Sequence, residues 1–499
     1  MKMKRTFAMI MALALLATTP LNTLAETTEA AETSAEDAMP GEPAEGMGTP
    51  PEGMGTPPEG GAPGAPGEEM PGEPPEGMGG PGGFGGSTPP GGGSSDFEYA
   101  AATEITEAGE ASGEAYASDT ADESALIVNT DADVALTDIT VTKTGDSNGG
   151  DNCNFYGLNA ALLAMGSGTV TISGATITSD ADGANGVFSY GGNGGRNGAT
   201  GDGTTVVISD STIVTTGDGS GGIMTTGGGV TTATNLTVET SGRSSAAIRT
   251  DRGGGTVTVD GGSYTSNGLG SPAIYSTADI TVANATLTST LSEGVCIEGM
   301  NSITLENCDM TANNTQMNGN ATFLDTIMIY QSMSGDADSG TSAFTMTGGS
   351  LTSLNGHMFH VTNTHAVITL EGVELANEDD DNVLLSVCDD GWSGAGNVAE
   401  LNAVGQALSG TILVGEDSSL TLNLTEGASF EGAISGEIVN AKGEQVSAEI
   451  GTVNVSLDET STWTLTADTY VTSFSGSAAN VVSNGFTLYV NGVALAETK

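Results

Sequence analysis

The chain has 499 residues, of which 63 are Asp or Glu and only 10 are Lys or Arg, so its formal charge at pH 7 is −53. A surface this acidic repels the phosphates of nucleic acid, disfavours anionic membranes and polyanionic glycans, and attracts divalent cations. The four cysteines are too few and too scattered for a disulfide framework, although a single bridge stays open. The composition therefore excludes nucleic-acid-binding proteins and small disulfide-rich domains.

Residues 1–25 have the pattern of a secretory signal peptide. MKMKR is followed by an apolar run at 7–16 and by TLA at 23–25, which carries the small residues of a cleavage site. The run is too short to span about 30 Å of hydrocarbon, and no later apolar stretch is longer. We therefore predict a secreted, extracellular or surface-associated protein with no transmembrane segment in its mature chain, whose formal charge is −56 once three basic residues are removed.

Residues 26–96 form a segment rich in Pro, Gly, Glu and Met. Between Pro40 and Pro90 lie 14 of the 16 prolines of the chain. Such a composition cannot bury enough apolar surface to fold, so we predict a disordered linker that acts as a spacer.

The remaining chain contains an internal repeat. When the second apolar residue of each copy is taken as an anchor, nine copies align at intervals of 23 to 41 residues, most of them near two dozen. The anchors are Leu136, Ile172, Ile208, Ala233, Val259, Val282, Leu305, Met346 and Leu370. A period in this range is typical of a solenoid, in which stacked repeats bury a core that one repeat cannot bury alone.

Each copy has the same local pattern. Gly, Asn or Asp stands two residues after every anchor, and these residue types tolerate left-handed backbone angles. Apolar residues alternate with polar ones on both sides of that position, as in VTVDGGSY at 257–264. Two short strands therefore meet at a bend with their apolar sides facing one core. A third apolar stretch, such as PAIYST at 272–277, completes each coil.

With three short strands per coil, a left-handed bend residue and inward ladders of Ile, Val and Leu, the repeat resembles the right-handed parallel β-helix of pectin-lyase-like proteins. We therefore predict an all-β fold: a right-handed parallel β-helix over residues 97–444 with about a dozen coils, and closing coils or a β cap over 445–499. With its leader and linker, the chain is also similar to uncharacterised, adhesin-like exported surface proteins of bacteria. Because the fold serves lyases, hydrolases, adhesins and inert stalks, the resemblance leaves the activity open.

Four of the seven basic residues of the mature chain fall between positions 196 and 252. Arg249 and Arg252 lie at the end of one third strand, and Tyr275 is expected beside them on the outward side of the next coil. We therefore take Arg249, Arg252 and Tyr275 as ligand-binding candidates. If the protein is an enzyme, Arg249 and Asp251 are catalytic candidates, because pectate-type lyases abstract a proton with Arg or Lys. The alternative is that Arg249 simply pairs with a nearby acid such as Asp251.

The stretch CDDGW at 388–392 is a second candidate site. Trp392 offers a ring face on which a sugar could stack, so it is a ligand-binding candidate. Glycoside hydrolysis needs two carboxyl groups about 5 to 10 Å apart, so Asp389 and Asp390 are catalytic candidates for the enzyme alternative. Neighbours on an extended chain point in opposite directions, however, and a solvated acidic turn is the competing interpretation.

No metal site is predicted. His357 and His360 are three residues apart, which on a strand places them on opposite faces, so a zinc site would require a bend. Asp-rich loops such as 179–186 lack the complete ligand pattern of a calcium loop. We predict no cofactor, and bound calcium stays an alternative.

Threonine occupies the position directly before seven of the nine anchors. Stacked coils would align these side chains into an outward ladder of hydroxyl groups. Thr is also simply a polar residue that suits a strand, and we expect the inserted loops to interrupt the stack.

These observations predict an exported, adhesin-like binding module, for carbohydrate or extracellular matrix. The first alternative is a polysaccharide lyase or glycoside hydrolase, which needs two or three acids and a base that converge in a cleft. The second alternative is a stalk with no ligand. The sequence does not predict the oligomeric state, the ligand or the means of attachment to the cell.

Overall fold

A computed structural model describes residues 98–193, 200–392 and 396–495. The predicted signal peptide and linker lie outside these residues. The described chain is a right-handed parallel β-helix, which confirms the predicted fold class. Within these ranges, no helix is long and apolar enough to cross a lipid bilayer.

In all but the last coils, the third strand belongs to one parallel sheet of 13 strands, here called sheet A. Its strands are Ala100–Ile105, Glu123–Asn129, Leu162–Met165, Val187–Tyr190, Ile223–Thr226, Ile248–Thr250, Ile274–Ser276, Val295–Glu298, Asp325–Tyr330, His357–Thr362, Val383–Val387, Thr411–Val414 and Ile434–Ser435.

The two strands around each bend form a second sheet of 22 strands, here called sheet B. Its first arm, before the bend, contains Gly109–Ser112, Val134–Thr137, Thr169–Ser173, Thr205–Ser209, Asp279–Ala283, Ser302–Glu306, Thr341–Thr347, His365–Glu371, Asn397–Val404, Ser418–Thr425, Thr452–Leu457 and Ser473–Ser475. Its second arm, after the bend, contains Ala115–Ser118, Thr140–Lys143, Thr176–Ser179, Thr212–Thr215, Thr286–Ser289, Asp309–Ala312, Ser350–Ser353 and Glu374–Asn377. In two coils one strand runs through both arms, at Gly229–Thr240 and Gly255–Ser266.

The last coils continue these rows in smaller sheets. Four strands extend the second arm, at Ala407–Ser409, Ser429–Gly432, Thr462–Leu465 and Val481–Val482. The C-terminal end adds an antiparallel pair, Ile438–Val439 with Gln445–Ser447, a three-stranded sheet of Thr469–Val471, Leu488–Val490 and Val493–Ala494, and a 3-10 helix at Ala478–Asn480. Those of these β elements that follow residue 444 form the closing coils and β cap predicted over 445–499.

The bend of each coil has the predicted backbone conformation. All nine positions two residues after an anchor have positive φ: Asp138, Gly174, Asp210, Asn235, Gly261, Asn284, Asn307, Gly348 and Gly372. At Gly174, φ is 65° and a Cβ atom would lie 2.3 Å from Asp138 Oδ1 of the preceding coil. Two Asn side chains also join coils, since Asn235 Nδ2 donates to Asp210 Oδ1 at 2.7 Å and Asn284 Nδ2 donates to Asp260 Oδ1 at 2.7 Å.

One core runs between sheets A and B. Inward residues of successive coils stack on each other and are almost fully buried, as in the column Val187, Ile223, Ile248, Ile274, Val295 and Ile327. Each such side chain contributes roughly 1.5 to 3 kcal/mol when it leaves water, so coil-on-coil stacking is the main source of stability.

The outer side of sheet A is also buried, because segments inserted between strands fold back over it. Tyr156, from the short α-helix Asn152–Tyr156, covers Phe188 and Met224. Further along, Trp392 packs into a cluster with Tyr275 and Tyr330, and Phe323 packs into a cluster with Cys388 and Leu413. Apart from its first strand, sheet A is therefore covered on both faces, whereas the outward face of sheet B stays open.

Candidate functional site

The predicted arginine patch does not face solvent. Met224, Arg249 and Tyr275 do stack in register on the outward side of sheet A. However, Arg249 is only 3% exposed and Tyr275 only 6%. The expected open patch is therefore wrong, because the sequence pattern gives the direction of a side chain but not what folds over it.

Arg249 forms a buried ion pair with Asp251. Its Nη2 lies 2.7 Å from Asp251 Oδ2, Nη1 donates to the Ser244 carbonyl at 2.8 Å, and the guanidinium lies 5.6 Å from the centre of the Tyr275 ring. Burial opposes the charge on Arg249, but the facing Asp251 carboxylate raises the pKa of the guanidinium, which stays charged. A permanently charged, enclosed Arg249 cannot take a proton from a substrate, so the structural pairing explains it better than catalysis.

Arg252 anchors a loop over sheet A. Its Nη2 and Nε lie 2.5 and 3.1 Å from Asp336 Oδ1, and its guanidinium carbon lies 4.0 Å from the centre of the Phe155 ring. Arg252 thus joins the 331–340 loop to the short α-helix. It is about one fifth exposed, which leaves little of it for a ligand.

A carboxylate that sequence reasoning missed lies beside this loop. Glu298 is 1% exposed and accepts hydrogen bonds from Tyr275 OH at 2.5 Å, from Tyr330 OH at 3.1 Å, from Ser334 Oγ at 3.3 Å and from Ser332 Oγ. Burial raises the pKa of Glu298 to about 7 despite these donors. No sequence pattern pointed to Glu298, because a single Glu at the end of a strand is ordinary.

The CDDGW residues do not form a cleft. Asp389 is exposed and accepts a hydrogen bond from Asn397 Nδ2 at 2.7 Å. The Asp390 side chain is enclosed, with Oδ1 accepting from the Thr322 and Gly391 amides at 2.6 and 2.7 Å. Trp392 is 2% exposed, and its ring centre lies 5.0 Å from that of Tyr330. Asp389 and Asp390 are thus held in different surroundings, and Trp392 presents no open face to a sugar.

Two histidines come together with a serine. His357 Nδ1 and His360 Nδ1 lie 2.8 and 2.7 Å from Ser386 Oγ, and His360 Nε2 lies 3.4 Å from Asp390 Oδ2. The expectation that the histidines point to opposite faces is therefore wrong. Burial is the main cause that lowers the pKa of His357 to about 3, and the neighbouring His360 adds to it, so His357 is neutral. Ser386 is fully buried and cannot reach a substrate.

The open feature of the molecule is a row of six threonines on the first arm of sheet B, here called the threonine ladder. Its members are Thr232, Thr258, Thr281, Thr304, Thr345 and Thr369, each in register with the next. The interval between the anchors Leu305 and Met346 is 41 residues, yet Thr304 and Thr345 are in register. The expectation that inserted loops interrupt the stack of threonines is therefore wrong. The insertion lies at the sheet A side of the coil, between Asp309–Ala312 and Thr341–Thr347.

The hydroxyls of the threonine ladder are unengaged. None of the six makes a hydrogen bond to another described residue, and all six side chains are half-buried or exposed. Strand spacing places them about 4.8 Å apart. Beyond Thr369, Asn402 and Asn423 continue the row in register, and Asn423 Nδ2 donates to Asn402 Oδ1 at 2.9 Å.

In the described ranges, no group of three or more His, Cys, Asp or Glu side chains is arranged to hold a metal ion. The four cysteines are buried as free thiols. No protein-family model, curated protein or solved structure matches the chain.

Proposed function

We propose that the protein is an exported extracellular or cell-surface binding module whose threonine ladder binds an extended, uncharged polysaccharide. The observation that carries this proposal is the unbroken register of six free hydroxyls on the open face of sheet B. A hydroxyl both donates and accepts hydrogen bonds, as sugar hydroxyls do, and a regular row suits a ligand that is itself a repeating polymer. An adhesin-like role would follow from such binding.

Charge favours a neutral ligand. The formal charge of −53 repels polyanionic glycans. Of the basic residues in the described chain, Lys143 and Arg249 are buried, Arg252 is held by Asp336, and Arg243 donates to Asn318 at 2.9 Å. Lys442 is exposed, but it lies in the turn between Ile438–Val439 and Gln445–Ser447 and not on the threonine ladder. Recognition of a chain of uronates would need a row of free cations, so a neutral polysaccharide is the better match.

The placement of the candidate residues supports a binder over an enzyme. Arg249 and Asp251 are enclosed in an ion pair, while Asp389 and Asp390 make separate contacts within the fold. A hydrolase or lyase needs its acid and base within reach of one substrate bond. A stalk remains the alternative that predicts no ligand at all.

The test uses the purified chain on a panel of neutral and acidic polysaccharides, with retention, new reducing ends and unsaturated uronates as readouts. The variant Thr258→Val, Thr281→Val and Thr304→Val removes three hydroxyls while keeping shape and strand propensity. We expect retention of the wild type on a neutral glycan and at least a tenfold loss in this variant.

The matched control carries the same three changes on the second arm, at Thr140, Thr176 and Thr212, which are also exposed and in register. It should bind like the wild type. Equal losses in both variants would show that the threonine ladder is not the site. Turnover lost on Asp389→Ala with Asp390→Ala, or on Arg249→Ala, would establish the enzyme. If the protein shows neither retention nor turnover, the stalk is the interpretation that is left.

A further inference from the structure

Two acidic side chains meet in a buried part of the fold. Val295 and Ile327 are in register, which places Glu293 opposite Asp325 on the next coil. Glu293 is 2% exposed and Asp325 is 1% exposed. Two ionised carboxylates in such a place repel each other and lose their hydration, so they require a compensating positive charge or a proton.

Among the described residues, no basic side chain supplies that charge. The ion pairs of the described chain involve Asp251, Asp336 and Asp390, and neither Glu293 nor Asp325 takes part in one. Burial raises the pKa of Asp325 well above its usual value, and the neighbouring carboxylates of Glu293 and Asp390 raise it further.

Oxygen atoms around the pair lack partners. Asp325 Oδ1 and Asn314 Oδ1 are buried, and neither has a hydrogen-bond donor. Asn314 is 1% exposed, its Nδ2 donates to the Asp325 carbonyl at 3.1 Å, and its amide also bonds to Glu293. Asn314 therefore contacts both acids through the nitrogen of its amide, and a half-turn of that amide would bring the unpartnered Oδ1 to the same place. A buried oxygen without a donor costs roughly 1 to 3 kcal/mol, which a bound ion would offset.

We propose that Glu293, Asp325 and Asn314 form a buried calcium site that ties two consecutive coils together. Two carboxylates balance the charge of one divalent cation, and carboxylate and amide oxygens are the hard ligands that calcium takes. Ser292 Oγ, which contacts Glu293, adds a further oxygen at the same place. The role is structural, and it is independent of what the threonine ladder binds.

The experiment uses the full chain, stripped with EDTA and returned to buffer with defined free calcium. Bound calcium is measured by mass spectrometry of the metal, and the melting temperature is measured with and without calcium. We expect the wild type to hold one equivalent more than the variant Glu293→Gln with Asp325→Asn. Calcium should raise the melting temperature of the wild type by several degrees more than that of this variant.

The matched control is Glu371→Gln with Glu374→Gln, which removes two charges from exposed positions of sheet B. It should keep the extra equivalent, which separates a built site from loose binding to an acidic surface. Equal calcium contents in all three proteins would overturn the proposal and indicate that the two acids share a proton.

If the variant Glu293→Gln with Asp325→Asn does not fold, a comparison of calcium and magnesium on the wild type still tests the proposal. Magnesium prefers strict octahedral geometry and retains its water, so it should replace calcium poorly at a site built from protein oxygens. Stabilisation by calcium but not by equal magnesium supports the site, whereas equal effects of the two ions would overturn it.

Discussion

Glu298 should make the protein less stable as the pH rises from about 5 to 8. Its pKa is about 7 in the folded protein, raised chiefly by burial and further by Asp336 and Asp251, against an ordinary value of 4.5. Between those two values the folded state binds more protons than the unfolded state, so the free energy of unfolding falls as pH rises. The stability associated with protonated Glu298 is complete below pH 4.5 and is lost by the time the pH passes 7.

The size of this effect follows from the two pKa values. At about 1.4 kcal/mol for each tenfold change in proton affinity, the interval from 4.5 to about 7 corresponds to roughly 3 kcal/mol. The substitution Glu298→Gln fixes the side chain in a neutral form, and the surrounding Tyr and Ser hydroxyls can rotate to accept from its amide. We therefore expect Glu298→Gln to be close to the wild type at pH 5 and more stable by up to about 3 kcal/mol at pH 8.

Urea unfolding of both proteins at intervals from pH 5 to pH 8.5 measures this difference. Subtracting one protein from the other removes the contribution of every other titrating group, including His357, whose pKa of about 3 makes acid destabilising. The reasoning is refuted if the difference between the two proteins stays constant over this range. A constant offset would mean that Gln changes packing or hydrogen bonding and that Glu298 does not titrate there.

Three further outcomes follow from local contacts. Arg249→Met removes the ion-pair partner of the buried Asp251 and should lower the free energy of unfolding by about 3 to 5 kcal/mol in urea. A loss under about 1 kcal/mol would contradict the buried pair. Gly174→Ala should cost about 1 to 2 kcal/mol because φ is 65° there, and an unchanged urea midpoint would show that the bend can relax. Trp392 and Trp463 are both buried, so acrylamide should quench their fluorescence weakly and soluble sugars should leave it unchanged; sugar-dependent quenching would restore Trp392 as a binding residue.

The repeat made sheet B predictable in detail. A residue that tolerates positive φ, placed two positions after an apolar anchor, fixes where each coil bends, and all nine predicted positions have positive φ. Alternation then assigns each side chain to the core or to the outside, as for Val257, Thr258 and Val259. These rules depend only on residues that are close in sequence. A single sequence was therefore enough to predict sheet B.

The burial of the sheet A candidates was not predictable by the same rules. Alternation correctly turned Arg249 and Tyr275 away from the core, but their exposure depends on loops from other coils, such as 331–340 and 388–392. One signal was present: TIMIYQS at 326–332 and LLSV at 384–387 are apolar on both faces, which is typical of strands covered on both sides. Asn314 and Asp325 could not be paired from sequence, because their contact crosses an insertion.

The difference between the open face of sheet B and the covered sheet A predicts how polysaccharide binding depends on salt concentration. The threonine ladder carries no charge, whereas the charged groups near sheet A, such as Arg252 with Asp336, are engaged with each other. If the ladder binds the polysaccharide, raising NaCl from about 0.02 M to about 0.5 M should change the dissociation constant less than about twofold, because hydroxyl contacts are not screened. If binding instead runs through surface carboxylates bridged by cations, the same change should weaken it about tenfold or more. Affinity electrophoresis at the two salt concentrations separates these mechanisms, and a steep salt dependence would move the site off the ladder.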